Sequence, residues 1–444
     1  MLHEYIHDAI NELENRSKKP SIIDKQDEQF DVIIDLIAYE TEIDLDKLRI
    51  TEETYKQRLE SIIGDIADSE NPVDDFHSKL DKLEDEVANA HHEYTILFPW
   101  NLSNFLNMDF ERPIEIQDLA IERLPRPTWK EYTKEAKDKD TFEQFLEELP
   151  TQKNRNSPFA FHKHWKVTYE AGSRDYVMNK LTGAFQILMG EIIFSAHFGR
   201  ITHKNRRTNW KYGITHLEHP LCYLILREGD YQRYYTSYDF TPRRKFSLTG
   251  NARRNFNEIY PRTPDFNGDV DEIGQHLMTA FSAYYSGMSE PKPDQAFLNF
   301  WRCLEAATLT QDEEYSASNA PKRARAAMRP QRIEVSDGRI ERLVDKRNQL
   351  VHRGGHANIT EGDITHLKSL SEASIWFLMT DRQNYSFEEF KFFFEYGAKP
   401  EDSIRQAKEQ RENQIEKNKE KIQTKEEEIG RIDQIMKWLE MGAN

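Results

Sequence analysis

The chain reads as mainly helical, with an α/β or β-rich middle domain and a C-terminal helical bundle that runs on into a coiled-coil helix. Three observations predict this. Apolar residues recur at helix spacing through the first 95 residues. Two β-prone runs flank a Gly-containing turn between Cys222 and Tyr238. Four regular amphipathic stripes then follow between residues 270 and 390, and after them a seven-residue repeat.

The front of the chain, residues 1–158, is expected to be acidic and mostly helical. Ile33, Leu36, Ile37 and Glu40 recur at helix spacing, as do Leu59, Ile62, Ile63 and Ile66, and then Phe76, Leu80, Leu83 and Val87. Asn71-Pro72 separates two of these stretches, and Asp74 is a natural N-cap for the second. Pro113, Pro125, Pro127, Pro150 and Pro158 punctuate a polar stretch that predicts irregular chain with one short helix near 141–149.

Residues 159–265 form the expected middle domain. Phe185 to Met189 and Ile192 to Phe194 fit a buried strand and a short buried helix equally well. The run from Cys222 to Leu226, then Glu228-Gly229-Asp230, then Tyr231 to Tyr238 is a hairpin signal.

The bundle is expected over 270–395. Its stripes are Ile273, Leu277, Ala280, Phe281, Tyr284 and Met288; Phe297, Phe300, Trp301, Leu304 and Thr308; Ile340, Leu343, Val344, Leu350 and Val351; and Ile364, Leu367, Ser371, Ile375 and Leu378. In the tail, 400–444, Ile415, Ile422, Ile429 and Met436 are spaced by seven, with Ile432 and Leu439 in part of a second seam. Arg411, Asn418 and Lys425 weaken that second seam, and a lone solvated helix packed on its own domain is the alternative.

With 444 residues, 37% of them hydrophobic and 11% aromatic, the chain can bury two to four cores, which excludes wholesale disorder. No apolar run suits a bilayer, and the charged, amphipathic N-terminus is unlike a secretory signal. Two distant cysteines, Cys222 and Cys303, offer no disulfide framework. A cytoplasmic protein without membrane contact is expected. The net charge of −17 is unevenly spread: residues 1–150 hold 38 acidic against 17 basic side chains, so the remainder is about +4. Residues 200–262 alone carry 13 basic and 5 acidic groups. This asymmetry is compatible with RNA on one part of the surface.

The segment from Ile340 to Gly355 carries the chemistry. On a helix, Arg347 points into the middle of the third apolar stripe, where a guanidinium needs an anion. His352 comes five residues later, near a helix end that Gly354-Gly355 should terminate. The negative end of the helix dipole favours its protonated form. Five residues are about 140° of rotation, so the two side chains are expected to diverge on a straight helix. They would then meet one phosphate where the helix ends, or through a second copy of the domain.

Arg-Asn-Gln-Leu-Val-His resembles the motif of the HEPN ribonucleases, and the surrounding helices resemble their Apea-like branch. Phe297 to Ala306 is similar to the long helix of that branch with its Leu-Glu pair, Arg347 to Gly355 to its motif helix, and Asp363 to Met379 to its closing helix. The likeness covers roughly residues 270–390. It implies metal-independent RNA cleavage with no cofactor, usually by a homodimer whose two motifs line one cleft. The RNA 2′-hydroxyl is the nucleophile, so His352 would move a proton and Arg347 would hold the phosphoryl oxygens. Asn348 would orient the imidazole or a phosphate, and Glu305 would pair with Arg347. A toxin or antiviral defence role, with a regulatory protein partner, follows from the same resemblance. The alternative is a catalytically inactive HEPN scaffold that dimerises, aided by the coiled coil, and binds RNA.

Three basic clusters could guide RNA: Arg200 to Lys211, Arg243 to Arg254, and Lys322, Arg323 and Arg325 extending to Arg329. The last, just before the motif helix, is the preferred one. His216, His219 and Cys222 have zinc-like spacing but lack an obvious fourth ligand, so no metal is expected. Gly172-Ser173 resembles a nucleotidyltransferase signature but lacks the acidic pair that should follow. No phosphate-binding glycine loop and no dinucleotide fingerprint occur.

Overall fold

A computed structural model describes residues 1–18, 23–89, 91–102, 113–139, 163–199, 217–220, 222–236, 248, 250–310, 317–328, 335–352, 357–397, 399 and 401–441. It is mainly helical, with one small antiparallel sheet, and divides into two compact units, Met1–Cys303 and Leu304–Asn444. None of its described helices is long and apolar enough to cross a membrane.

The first unit opens with α1 (Leu2–Lys18), α2 (Ile23–Glu40), the short α3 (Leu45–Leu48), α4 (Glu52–Ile66) and α5 (Pro72–Asn89). Ile6, Phe30, Ile34, Ile37, Leu59, Ile63 and Phe76 share one core there. The buried face of α2 is therefore Phe30, Ile34 and Ile37; Leu36, expected inside, is exposed. Helix α5 starts two residues before the expected cap Asp74, with Pro72 at its first position, where the missing N–H costs nothing.

The sheet order is β2-β3-β4-β1-β5-β6, built from β1 (His92–Trp100), β2 (Ile114–Ile116), β3 (Leu119–Leu124), β4 (Lys163–Ala171), β5 (Cys222–Arg227) and β6 (Asp230–Thr236). All neighbours run antiparallel. The expected hairpin is β5–β6, turning at Glu228 and Gly229, both at positive φ as a two-residue hairpin turn demands. The sheet starts far earlier than expected, because β1 begins at the end of the stretch read as helical and β2 and β3 lie in the stretch read as irregular. Pro99 masks β1 in the sequence. The strand tolerates it because β1 pairs with β5 only over Tyr94–Leu97, so a residue lacking an N–H can follow. The short helix expected near 141–149 lies outside the described residues. Between β3 and β4 the described chain holds α6 (Arg126–Lys139).

Phe185 to Phe194 belong to α7 (Arg174–His197), capped by the Ser173 hydroxyl, which accepts from Tyr176 N–H. Its C-terminal half is buried on all sides, which removes the amphipathic period that would distinguish helix from strand. Phe185 packs on Phe98 and Trp100 of β1, with ring centroids 5.1 and 4.9 Å apart. After α8 (Asn251–Ile259), α9 (Glu272–Ser289) crosses α7 at Gly190: a Cβ there would lie 2.1 Å from the Phe281 carbonyl oxygen.

Helix α10 (Pro293–Ala307) runs across the division between the units. In the second unit α11 (Ala320–Met328) packs on α12 (Asp337–His352), α13 (Glu361–Asp381) and α14 (Phe387–Tyr396), and α15 (Glu401–Met441) follows. The four stripes expected to build the bundle are α9, α10, α12 and α13. The first, second and fourth are buried throughout. The third is not: on α12 only Ile340 and Leu343 are buried, Val344 and Leu350 are half-buried, and Val351 is 49% exposed.

Gly190→Ala should destabilise the first unit by roughly 1–3 kcal/mol, because α7 and α9 must move apart to admit one methyl. Gly183→Ala, on the same helix with open space around it, serves as control and should be neutral or stabilising. Urea unfolding of both variants measures the contrast.

Candidate functional site

The candidate site lies at the C-terminal end of α12. Four interactions position it. At the start of the helix, Arg325 of α11 donates to Asp337 at 2.5 Å. Arg342 and Lys346, one helical turn apart, both reach Asp363 at the start of α13, at 3.0 and 2.6 Å. Lys346 also donates to the Asn358 carbonyl in the connecting loop. Asp363 itself closes a capping box with Thr360: its carboxylate accepts from Thr360 N–H, and its own N–H donates to the Thr360 hydroxyl.

The Asp363 side chain is 4% exposed, and burial alone would raise its pKa. Hydrogen bonds from Lys346, Thr360 and Arg342 outweigh that and hold the carboxyl at about 2 instead of the usual 3.8. The carboxylate therefore stays charged and ties the middle of α12 to the first turn of α13. His366 of α13 faces the same ridge; burial and the neighbouring Arg339 and Arg342 lower its pKa, against an opposing pull from Asp363.

Arg347 follows Lys346 directly. Its guanidinium Nη1 lies 3.5 Å from Nε2 of His352, the last residue of the helix. The expected divergence is thus overcome within one chain: the long arginine side chain runs along the helix to its end and meets the imidazole there. Arg347 is half-buried and His352 exposed. Among the described residues no ion pair holds Arg347. Asn348 is half-buried beside it. Glu305 sits, partly buried, in the last turn of α10, where its carbonyl accepts from Thr310 N–H and hydroxyl; it is not brought together with Arg347. Gly354 and Gly355 lie outside the described residues.

The basic cluster chosen for RNA is taken apart by the fold. It forms α11, and three groups in one helical turn face three environments. Lys322 is exposed. Arg323 is 4% exposed, with its guanidinium over the Phe394 ring at 5.8 Å. Arg325 is spent on Asp337. Arg323 is therefore a core residue of the second unit rather than part of a surface patch; Arg329 lies outside the described residues. Of the other clusters, Arg253 and Arg254 line an open cleft of about 460 Å³ with Gly250, Asn257 and Glu258, and Arg200 to Lys211 are outside the described residues.

His216 is likewise outside them. Burial holds the His219 imidazole at about 4 and pushes the Cys222 thiol up to about 12. Among the described residues no group of three or more His, Cys, Asp or Glu side chains is placed to hold a metal. Ser173 of the Gly172-Ser173 pair caps α7, and Gly172 is pressed against Ile50 and the Leu48 carbonyl. The chain matches no family model, no curated protein and no solved structure.

The Asp363 clamp was open to sequence reading, because Thr360-Glu361-Gly362-Asp363 has the spacing of a capping box before an apolar run. Asp363→Asn should cost about 2 kcal/mol near neutral pH, from a depression of nearly two pKa units. A depressed carboxyl contributes its stability above the unfolded pKa of 3.8 and loses it as pH falls through about 2. Denaturant midpoints of wild type and variant should therefore converge between pH 4 and pH 2. A gap that stays constant over this window would show that Asp363 acts through packing alone.

Proposed function

We propose that the chain is a metal-independent endoribonuclease of HEPN type, with Arg347 and His352 as its catalytic pair. The observation that carries the reading is their approach to 3.5 Å at the open end of α12, on a face that one chain leaves incompletely covered. An imidazole can take a proton from the 2′-hydroxyl or deliver one to the leaving 5′-oxygen. A guanidinium beside it, with no carboxylate partner among the described residues, is available for a non-bridging phosphate oxygen as charge builds there. Asn348, next in the chain, would orient either group. Among the described members of its cluster, Lys322 is the exposed one, available to a phosphate backbone.

The half-open stripe of Val344, Leu350 and Val351 supports a second copy of the chain as partner. Pairing over that stripe would remove apolar surface from water and enclose two Arg347–His352 pairs in a drier cleft, where their charges act more strongly. The role as a toxin or antiviral effector, restrained by a regulatory protein, rests on resemblance to the HEPN family.

His352→Ala should lower the cleavage rate on total RNA by roughly 10²–10⁴-fold. Arg347→Ala should lower it by roughly 10²–10³-fold. Both side chains are solvent-accessible, so each variant should keep its stability within about 0.5 kcal/mol of wild type. Rates and melting curves on the same preparations check this. Full activity of His352→Ala would sink the reading. An inactive wild type that binds RNA as a stable dimer would favour a scaffold.

A further inference from the structure

The first turns of α15 rest on α14. Arg411 donates to the Tyr396 hydroxyl at 2.9 Å, and its guanidinium lies 5.6 Å from the ring centroids of Phe392 and Tyr396. This gives Arg411 a role of its own and places the start of the free helix after it. From Glu412 to Gln434 every residue is exposed. Ile415, Ile422, Ile429, Ile432 and Met436 are each 53–59% exposed along one side. On a helix this exposed, a seam repeating every seven residues is the pattern a partner helix covers.

The charges beside the seam specify the partner. With Ile415, Ile422, Ile429 and Met436 in the first core position, Asn418, Lys425 and Ile432 occupy the second. Lys419, Glu426 and Asp433 flank one side, and Lys421 and Glu428 the other. Two parallel copies in register would set Lys425 against Lys425 in the core. They would match Lys421 with Glu426 but oppose Glu428 to Asp433. Antiparallel copies centred between Gln423 and Thr424 set Lys421 against Glu428 and Lys419 against Glu426, each twice by symmetry. The like-charged contact that remains, Glu412 with Asp433, falls near the ends. In this register Ile415 meets Ile432, and Ile422 meets Lys425, whose ammonium is already 2.7 Å from Glu428 of its own chain. Sliding by one heptad in either direction opposes Lys421 to Lys421 or Glu428 to Glu428.

We propose that the tail helix pairs antiparallel with the tail of a second copy of this chain, in the register centred between Gln423 and Thr424. The proposal does not depend on the ribonuclease reading. At 1.5 Å per residue the two tail helices begin, at Glu401, roughly 70 Å apart, and the paired stretch from Glu412 spans roughly 35 Å. The tails therefore join copies whose α12 ends are not held together by the rod. Where α12 faces also pair, the tail links one such dimer to another.

Disulfide trapping in the full chain tests orientation and register together. Both native cysteines are buried, which keeps the background low. Ile415→Cys and Ile432→Cys are prepared separately, one with a size tag, and oxidised alone and mixed. The antiparallel register predicts at least a tenfold excess of mixed disulfide over either self-linked product, because two copies of position 415 lie about 25 Å apart. Lys421→Glu in both chains should reduce the mixed product, and adding Glu428→Lys should restore it. Efficient self-linking of each variant would overturn the proposal in favour of a parallel pair. Absence of any linkage, with the helix intact by circular dichroism, would mean that something other than a second tail covers the seam.

Discussion

Asp363 is the constraint on which the candidate site depends. A single carboxylate, 4% exposed, caps α13 and receives both Arg342 and Lys346 of α12. The desolvation that such a charge suffers is offset by hydrogen bonds from two cations and from Thr360. Because Lys346 is held on one flank of α12, Arg347 is held on the next, and its reach along the helix ends at His352. Without the clamp, α12 would keep only Ile340 and Leu343 as buried anchors, both in its first half. The part of α12 that carries the pair is thus set by groups that precede it on the helix.

Much of the stretch from 270 to 390, which crosses from the first unit into the second, was legible because helices there obey a strict period. Three of the four stripes between 270 and 390 lie buried as read, and the Arg-Asn-Gln-Leu-Val-His segment ends a helix as expected. What the period could not convey is which polar residues are drawn inside. Arg323 sits in a run of basic residues that looks solvated, yet the alanines around it turn it toward Phe394. On α13, Lys368 and Glu372 are 0% and 5% exposed, four residues apart and paired with each other, so the helix is buried on faces that a polar pattern assigns to water. In the first unit the errors have the opposite cause. The end of α7 is apolar all round and has no period to read, and β1 carries a proline that argues against a strand until its pairing on one side is known. The separation of Arg347 and His352 was misjudged for a simpler reason: angles around a helix axis ignore the length of an arginine side chain.

Besides Tyr385 and Phe392 at α14, the described residues of the second unit leave apolar surface to water at two further places, the far end of the α12 stripe and the α15 seam. Both are regular, and both belong to helices whose other contacts are satisfied, α12 by Asp363 and the first turns of α15 by Phe392 and Tyr396. Incomplete burial on elements that are otherwise well anchored is the mark of surfaces reserved for association rather than of loose packing. In the proposed account, one of these surfaces completes the chemistry and the other sets the spacing between copies.

The central claim is that an imidazole and a guanidinium, with no metal, cleave RNA through its own 2′-hydroxyl. The chemistry of the product ends tests it most directly. Mass spectrometry of a short RNA incubated with the wild-type chain in excess chelator should show fragments ending in a 2′,3′-cyclic phosphate, and the same RNA with its 2′-hydroxyls replaced by hydrogen should remain intact. Products ending in a 3′-hydroxyl, or cleavage that appears only when a divalent metal is added, would contradict the account.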